Sequence, residues 1–76
     1  MSSAFILINS ETGKERLILQ EIRKNPYVSE VHMIYGIYDL IMRIEAENLA
    51  SLKNIIFKHI RTIKYIEKTF TMIIES

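Results

Sequence analysis

Two stretches with apolar residues at helical spacing, Leu17 to Ile22 and Leu49 to Ile63, divide this chain into four short runs rich in β-branched and aromatic residues. Side chains repeat every 3.6 residues on a helix and every two on a strand, so each pattern suits only one kind of element. The order that follows is strand, helix, strand, strand, helix, strand.

Ala4-Phe5-Ile6-Leu7-Ile8, closed by polar Asn9 and Ser10, reads as the first strand. Thr12-Gly13-Lys14-Glu15 has the spacing of a capping box, in which the threonine oxygen accepts from a first-turn N–H and the glutamate reaches back, so a helix is expected to start there. Its apolar stripe centres on Ile18 and Ile22, and Asn25-Pro26 ends it, because proline disfavours helical geometry in the residue before it. Tyr27 to Ile34 and Leu40 to Glu45 are extended and flank Tyr35-Gly36-Ile37-Tyr38-Asp39. Gly36, one of only two glycines, reaches positive φ without steric cost, which lets these strands fold back as a hairpin. Asn48 is placed to cap a second helix that buries Leu49, Leu52, Ile55, Ile56, Ile60 and Ile63. Tyr65 to Glu75 forms the last strand, with Phe70, Met72 and Ile74 on one side and Thr69, Thr71 and Ile73 on the other. The β-α-β-β-α-β order predicts an α+β, ferredoxin-like fold: a four-stranded antiparallel sheet with both helices on one face, residues 1–76 making a single domain.

A chain of 76 residues buries only about two thirds of its unfolded surface. Without cysteine it has no disulfide or thiolate metal site to add stability, and oligomerisation is the remaining route. The first and last strands agree. Phe5 and Leu7 alternate with Ala4, Ile6 and Ile8, so neither face is polar, while two helices can cover only one. The other face is expected to meet a second copy in a symmetric sheet-to-sheet dimer.

Ten basic and nine acidic residues are interspersed and give a net charge of +1, which lacks the clustered basic footprint of a DNA-binding surface. The longest apolar run, Ala4 to Ile8, falls far short of the roughly 20 residues that span a bilayer, so no membrane association is expected. The N-terminus also lacks the basic region of a secretory signal, and a cytoplasmic location is expected. His32 and His59 stand apart from any carboxylate cluster at ligand spacing, whereas a catalytic zinc takes three protein ligands; neither metal nor other cofactor is expected. Ser10, Ser29 and Ser51 have no base at a motif spacing, and no glycine-rich phosphate loop is present. Lys53, Lys58, Arg61, Lys64 and Lys68 are dispersed and read as a solvated face.

Candidate chemistry therefore concentrates at the hairpin, where backbone N–H groups near Gly36 could hold a carboxylate and Asp39 could pair with an ammonium. A turn with a solvated aspartate uses the same residues, and spacing does not separate the two readings. Thr69 and Thr71 project from one face of the last strand, as β-propensity favours or as hydroxyl contacts to a ligand at a subunit interface.

Ala4-Phe5-Ile6-Leu7-Ile8-Asn9 followed by Gly13-Lys14-Glu15, Pro26-Tyr27-Val28 with Glu30-Val31, Tyr35-Gly36-Ile37-Tyr38-Asp39-Leu40 and Thr69-Phe70-Thr71 together make the chain resemble, nearly end to end, a stand-alone RAM domain. That domain is the effector-binding and oligomerisation module of the Lrp/AsnC family of feast/famine transcription regulators. The resemblance implies a sheet-to-sheet homodimer, four dimers closing into an octameric ring, and an amino-acid effector bound between dimers. It implicates Tyr35, Gly36, Ile37, Tyr38 and Asp39, with Thr69 and Thr71, as ligand-binding residues. Full-length members begin with a helix-turn-helix domain, whereas only Met1-Ser2-Ser3 precedes the first strand here. Direct DNA binding is accordingly not expected, and co-assembly with full-length paralogues is. Asn25 departs from the apolar residue that often closes the first helix, which would loosen that corner of the core.

The resemblance implies a non-enzymatic module. The alternative is a small dimeric ferredoxin-like enzyme of monooxygenase or isomerase type, with His32 as the only strand histidine to serve a sheet-lined cavity; fold alone does not separate the two. An RNA-binding module of the same topology would need stacking aromatics on the open sheet, and Leu40-Ile41-Met42-Arg43-Ile44 supplies none.

Overall fold

The computed structural model describes residues 1–74. Alternating burial along Ser2–Ser10 makes β1, whose Ala4, Ile6 and Ile8 point into the core. After α1 (Glu15–Arg23) come β2 (Val28–Met33) and β3 (Leu40–Ala46), then α2 (Leu49–Ile55), which runs into a π-helical turn at Ile56–Ile60, and finally β4 (Ile66–Ile74). The strands form one antiparallel sheet in the order β2-β3-β1-β4. This is the expected ferredoxin-like βαββαβ architecture. Glu75, assigned by sequence to the last strand, lies outside the described residues.

One layer of core fills the space between sheet and helices. Ala4, Ile6 and Ile8 of β1 and Leu40, Met42 and Ile44 of β3 meet Ile18, Leu19 and Ile22 of α1 and Leu52, Ile55, Ile56 and Ile60 of the second helical segment. The second helical segment ends in a wider turn, closed by Arg61 N–H donating to Ile56 O at 3.1 Å, and Ile60, four residues after Ile56, is fully buried there.

The expected capping box does not form. Glu11 to Lys14 instead make a β-turn, with Lys14 N–H donating to Glu11 O at 3.0 Å and Gly13 at φ +81°. Thr12 is therefore held inside the turn, and Glu15 is the first helical residue, too early to reach back as a capping glutamate. Lys14 occupies the cap position without a side-chain hydrogen bond. Asn48 does cap α2: its Oδ1 accepts from Ser51 N–H at 2.8 Å. Asn25 terminates α1 by accepting from Tyr27 N–H at 2.9 Å, so its polarity serves the turn.

The sheet face away from the helices carries Phe5 and Leu7 of β1, Ile41 and Arg43 of β3, and Phe70 and Met72 of β4, placed side by side by the strand registers. Phe70 is 51% exposed. Arg43 lies with its guanidinium 5.7 Å from the Phe5 ring centroid, and its buried Nε has no hydrogen-bond partner among the described residues.

Candidate functional site

The connection between β2 and β3 is a projecting six-residue loop, 34–39, closed at its base by Ile34 N–H donating to Asp39 O at 2.9 Å. Gly36 has φ +152°, outside the region that L side chains readily adopt, and a Cβ there would meet nothing within 4 Å. Gly36→Ala should therefore cost backbone strain alone, about 1–3 kcal/mol, read as a lower thermal midpoint with amide shift changes confined to 34–39. Tyr35 and Ile37 extend into solvent. Tyr38 turns back and stacks on Phe70, with ring centroids 6.4 Å apart at 26°.

Asp39 is not a free turn aspartate. Its N–H donates to Ile8 O at 2.9 Å, and its Oδ2 accepts from Ser10 N–H at 2.9 Å, with the Ser10 hydroxyl a longer 3.5 Å away. The carboxylate thus completes the end of β1, where the pairing with β4 shifts register between Asn9 and Ser10. A cleft of about 520 Å³ opens beside it, lined by Asn9, Ser10, Ile37, Asp39, Glu67 and Lys68. Oδ1 makes no hydrogen bond among the described residues, so Asp39 retains acceptor capacity towards the cleft. Lys68 supplies a cation, and the register pairs it with Asn9.

The fold brings Ile37 and Asp39 to this cleft and leaves Tyr35 and Gly36 on the loop beyond it. Thr69 and Thr71 lie elsewhere. They pair with Ile8 and Ile6, which are fully buried beneath the helices, so both threonines project to the helix side of β4 and stand half-buried there. Asn9, Ser10, Glu67 and Lys68 carry no sequence signal of their own; only the β1–β4 register assembles them. Of the histidines, His32 is exposed on β2 with Glu30 Oε1 4.0 Å away, and His59 packs against Tyr27. The described residues contain no cluster of metal-ligating side chains, and none of their helices is long and apolar enough to cross a membrane.

Comparison with known proteins agrees with this architecture. The profile of the Lrp/AsnC ligand binding domain matches residues 3–76. An uncharacterized HTH-type transcriptional regulator of Pyrococcus abyssi is 33% identical over 75 residues, which cover 95% of this chain and 50% of the regulator. The chain thus spans about half the length of the curated relatives it matches. The crystal structure of FFRP-DM1 is 39% identical, with a TM-score of 0.93 over 99% of this chain and 100% of that one. A Neisseria meningitidis regulator solved as an L-Met complex has a TM-score of 0.84 over 99% of this chain and 50% of its own, but at 13% identity the likeness is one of fold. These matches place the chain among regulatory ligand-binding domains and set aside the enzyme alternative. A βαββαβ sheet with both helices on one face and a Gly-x-Tyr-Asp loop at its end, matched by the family profile over nearly the whole length, makes this chain a member of the Lrp/AsnC ligand binding domain family.

Proposed function

We propose that this domain binds a free amino acid at the Asp39 cleft and couples that binding to assembly. The observation that carries the reading is the pairing of opposite charges at one opening: Asp39, with an unused carboxylate oxygen, and Lys68 line the same cleft. A zwitterion needs both. Asp39 takes the ammonium and Lys68, with backbone N–H groups of the Gly36 loop, takes the carboxylate, as charge-assisted contacts. Thr69 and Thr71 would contribute only from a position facing a neighbouring copy.

The open sheet face supports a sheet-to-sheet homodimer, since Phe5, Leu7, Phe70 and Met72 form an apolar surface beside an Arg43 Nε that lacks an acceptor among the described residues. In this reading the projecting Tyr35 and Ile37 reach a neighbouring dimer, four dimers close into an octamer, and the effector binds between them. Paralogues that carry a DNA-binding domain join through the same surfaces in the cytoplasm, which makes the domain a modulator of regulators.

A thermal-shift screen of the twenty amino acids, run beside light scattering, tests this. A ligand at a hundred times its Kd stabilises the folded state by about 2.7 kcal/mol, a midpoint rise on the order of 10 °C for a domain of this size. L-methionine belongs among the first ligands tried, because the Neisseria regulator was solved with it. A screen in which no amino acid raises the midpoint removes the reading.

A further inference from the structure

The helix side carries a second groove that shares no lining residue with the Asp39 cleft. About 910 Å³ in volume, it runs between α1 and the end of the π turn, with Lys24, Tyr27, Lys58, His59, Lys64 and Tyr65 among its walls. It lies on the opposite side from the open sheet face, so a sheet-to-sheet dimer leaves it accessible.

Its charge and its backbone are both unusual. Glu21 is the one carboxylate in the lining, and it is engaged with Lys24 Nζ at 3.4 Å. Lys64 Nζ lies 5.8 Å from the Tyr65 ring centroid, and Lys14 Nζ lies 5.0 Å from the same centroid. Among the described residues no carboxylate comes within ion-pair distance of Lys14, Lys58 or Lys64. Tyr65 has φ +73°, the left-handed region that a bulky L residue rarely adopts, and its carbonyl is pinned by Glu11 N–H at 2.8 Å. The π turn delivers Lys58 and His59 to the same groove, where the His59 ring lies 5.8 Å from Tyr27 at 41°. Left-handed non-glycine residues and π turns concentrate at binding sites, and here two such departures border one opening.

We propose that this groove binds a nucleoside phosphate. The flat ring lies against Tyr27 and His59, and the phosphate oxygens accept charge-assisted hydrogen bonds from Lys58 and Lys64. The volume suits a ligand of that size, and unpaired ammonium groups beside exposed aromatic rings match a polyanion that carries a planar base.

The test is titration of the full chain with ADP, followed by amide chemical shifts and calorimetry, with adenosine and inorganic phosphate as separate arms. Saturable shifts are expected at Tyr27, Lys58, His59, Lys64 and Tyr65, and not at 36–39. Adenosine and phosphate should each bind at least tenfold more weakly than ADP. The double variant Lys58→Gln/Lys64→Gln should lose at least tenfold in affinity at an unchanged thermal midpoint. Tyr65→Gly, which removes the ring and suits the left-handed backbone, should stay folded and lose binding. The proposal falls if ADP gives no saturable shift at millimolar concentration, if its shifts cluster at the Asp39 cleft, if either arm binds as well as ADP, or if both variants bind like the parent.

Discussion

Leu7→Asp is expected to be a folded monomer at micromolar concentration, where the parent chain is expected to associate through its open sheet face. Leu7 sits at the centre of the open face, paired with Ile41 of β3 on one side and Phe70 of β4 on the other. It belongs to the face away from the buried core, so a carboxylate there meets water in the monomer and the helix side is undisturbed. In a two-fold dimer the substitution appears twice in one interface. Removing an unpaired carboxylate from water costs several kcal/mol, so two of them should weaken the dimer by about a thousandfold or more. Sedimentation velocity across a concentration series reads the effect. Phe57→Asp is the control: Phe57 is 67% exposed on the helix side, and its substitution should leave the sedimentation coefficient unchanged. A parent that sediments as a monomer, or a Leu7→Asp variant that stays associated, would show that the open face is not the interface.

Substitution of Asp39 should separate its hydrogen bond to the end of β1 from the ammonium contact proposed for it. Asp39→Ala removes the acceptor for Ser10 N–H and leaves that amide unpaired at the part-buried end of β1. A hydrogen bond to a charged group contributes about 1.5–3 kcal/mol, which for a domain this small lowers the thermal midpoint by on the order of 10 °C. Asp39→Asn keeps a carbonyl oxygen for Ser10 and should recover most of that loss. It does not recover the charge, and amino-acid affinity should fall by about ten- to a hundredfold. Calorimetry on the two variants, with their melting curves, distinguishes the outcomes. If Asp39→Asn binds as tightly as the parent, the ammonium contact is wrong and the residue serves only the strand.

Much of the fold was legible before any coordinates because the local signals agree with one another. Periods of two and of 3.6 in a chain this short leave few topologies, and Asn48 and Pro26 mark boundaries through local backbone chemistry. The capping box was misread for a physical reason. Thr12 and Glu15 have the right spacing, but Gly13 between them favours the turn that Glu11 and Lys14 close, and a turn and a first helical turn cannot occupy the same residues. The π turn was invisible, since the apolar spacing of Leu49 to Ile63 suits a regular helix throughout.

The candidate site divides along the same line. The loop at Gly36 and the carboxylate at Asp39 could be named from the chain, because a glycine between two apolar runs limits the backbone by itself. That Asp39 holds the end of β1, that Lys68 stands in the same cleft, and that Thr69 and Thr71 face the helices were set by strand register. Register depends on which of two apolar faces is buried, and a one-residue slip would exchange every side chain across the sheet. Alone, then, the sequence determined the order of elements, the buried stripe of each helix and the place of the loop, all consequences of local periodicity and backbone sterics. The tertiary structure decided which side chains meet across strands nearly 60 residues apart in sequence, since such contacts are fixed only when the faces compete for one core.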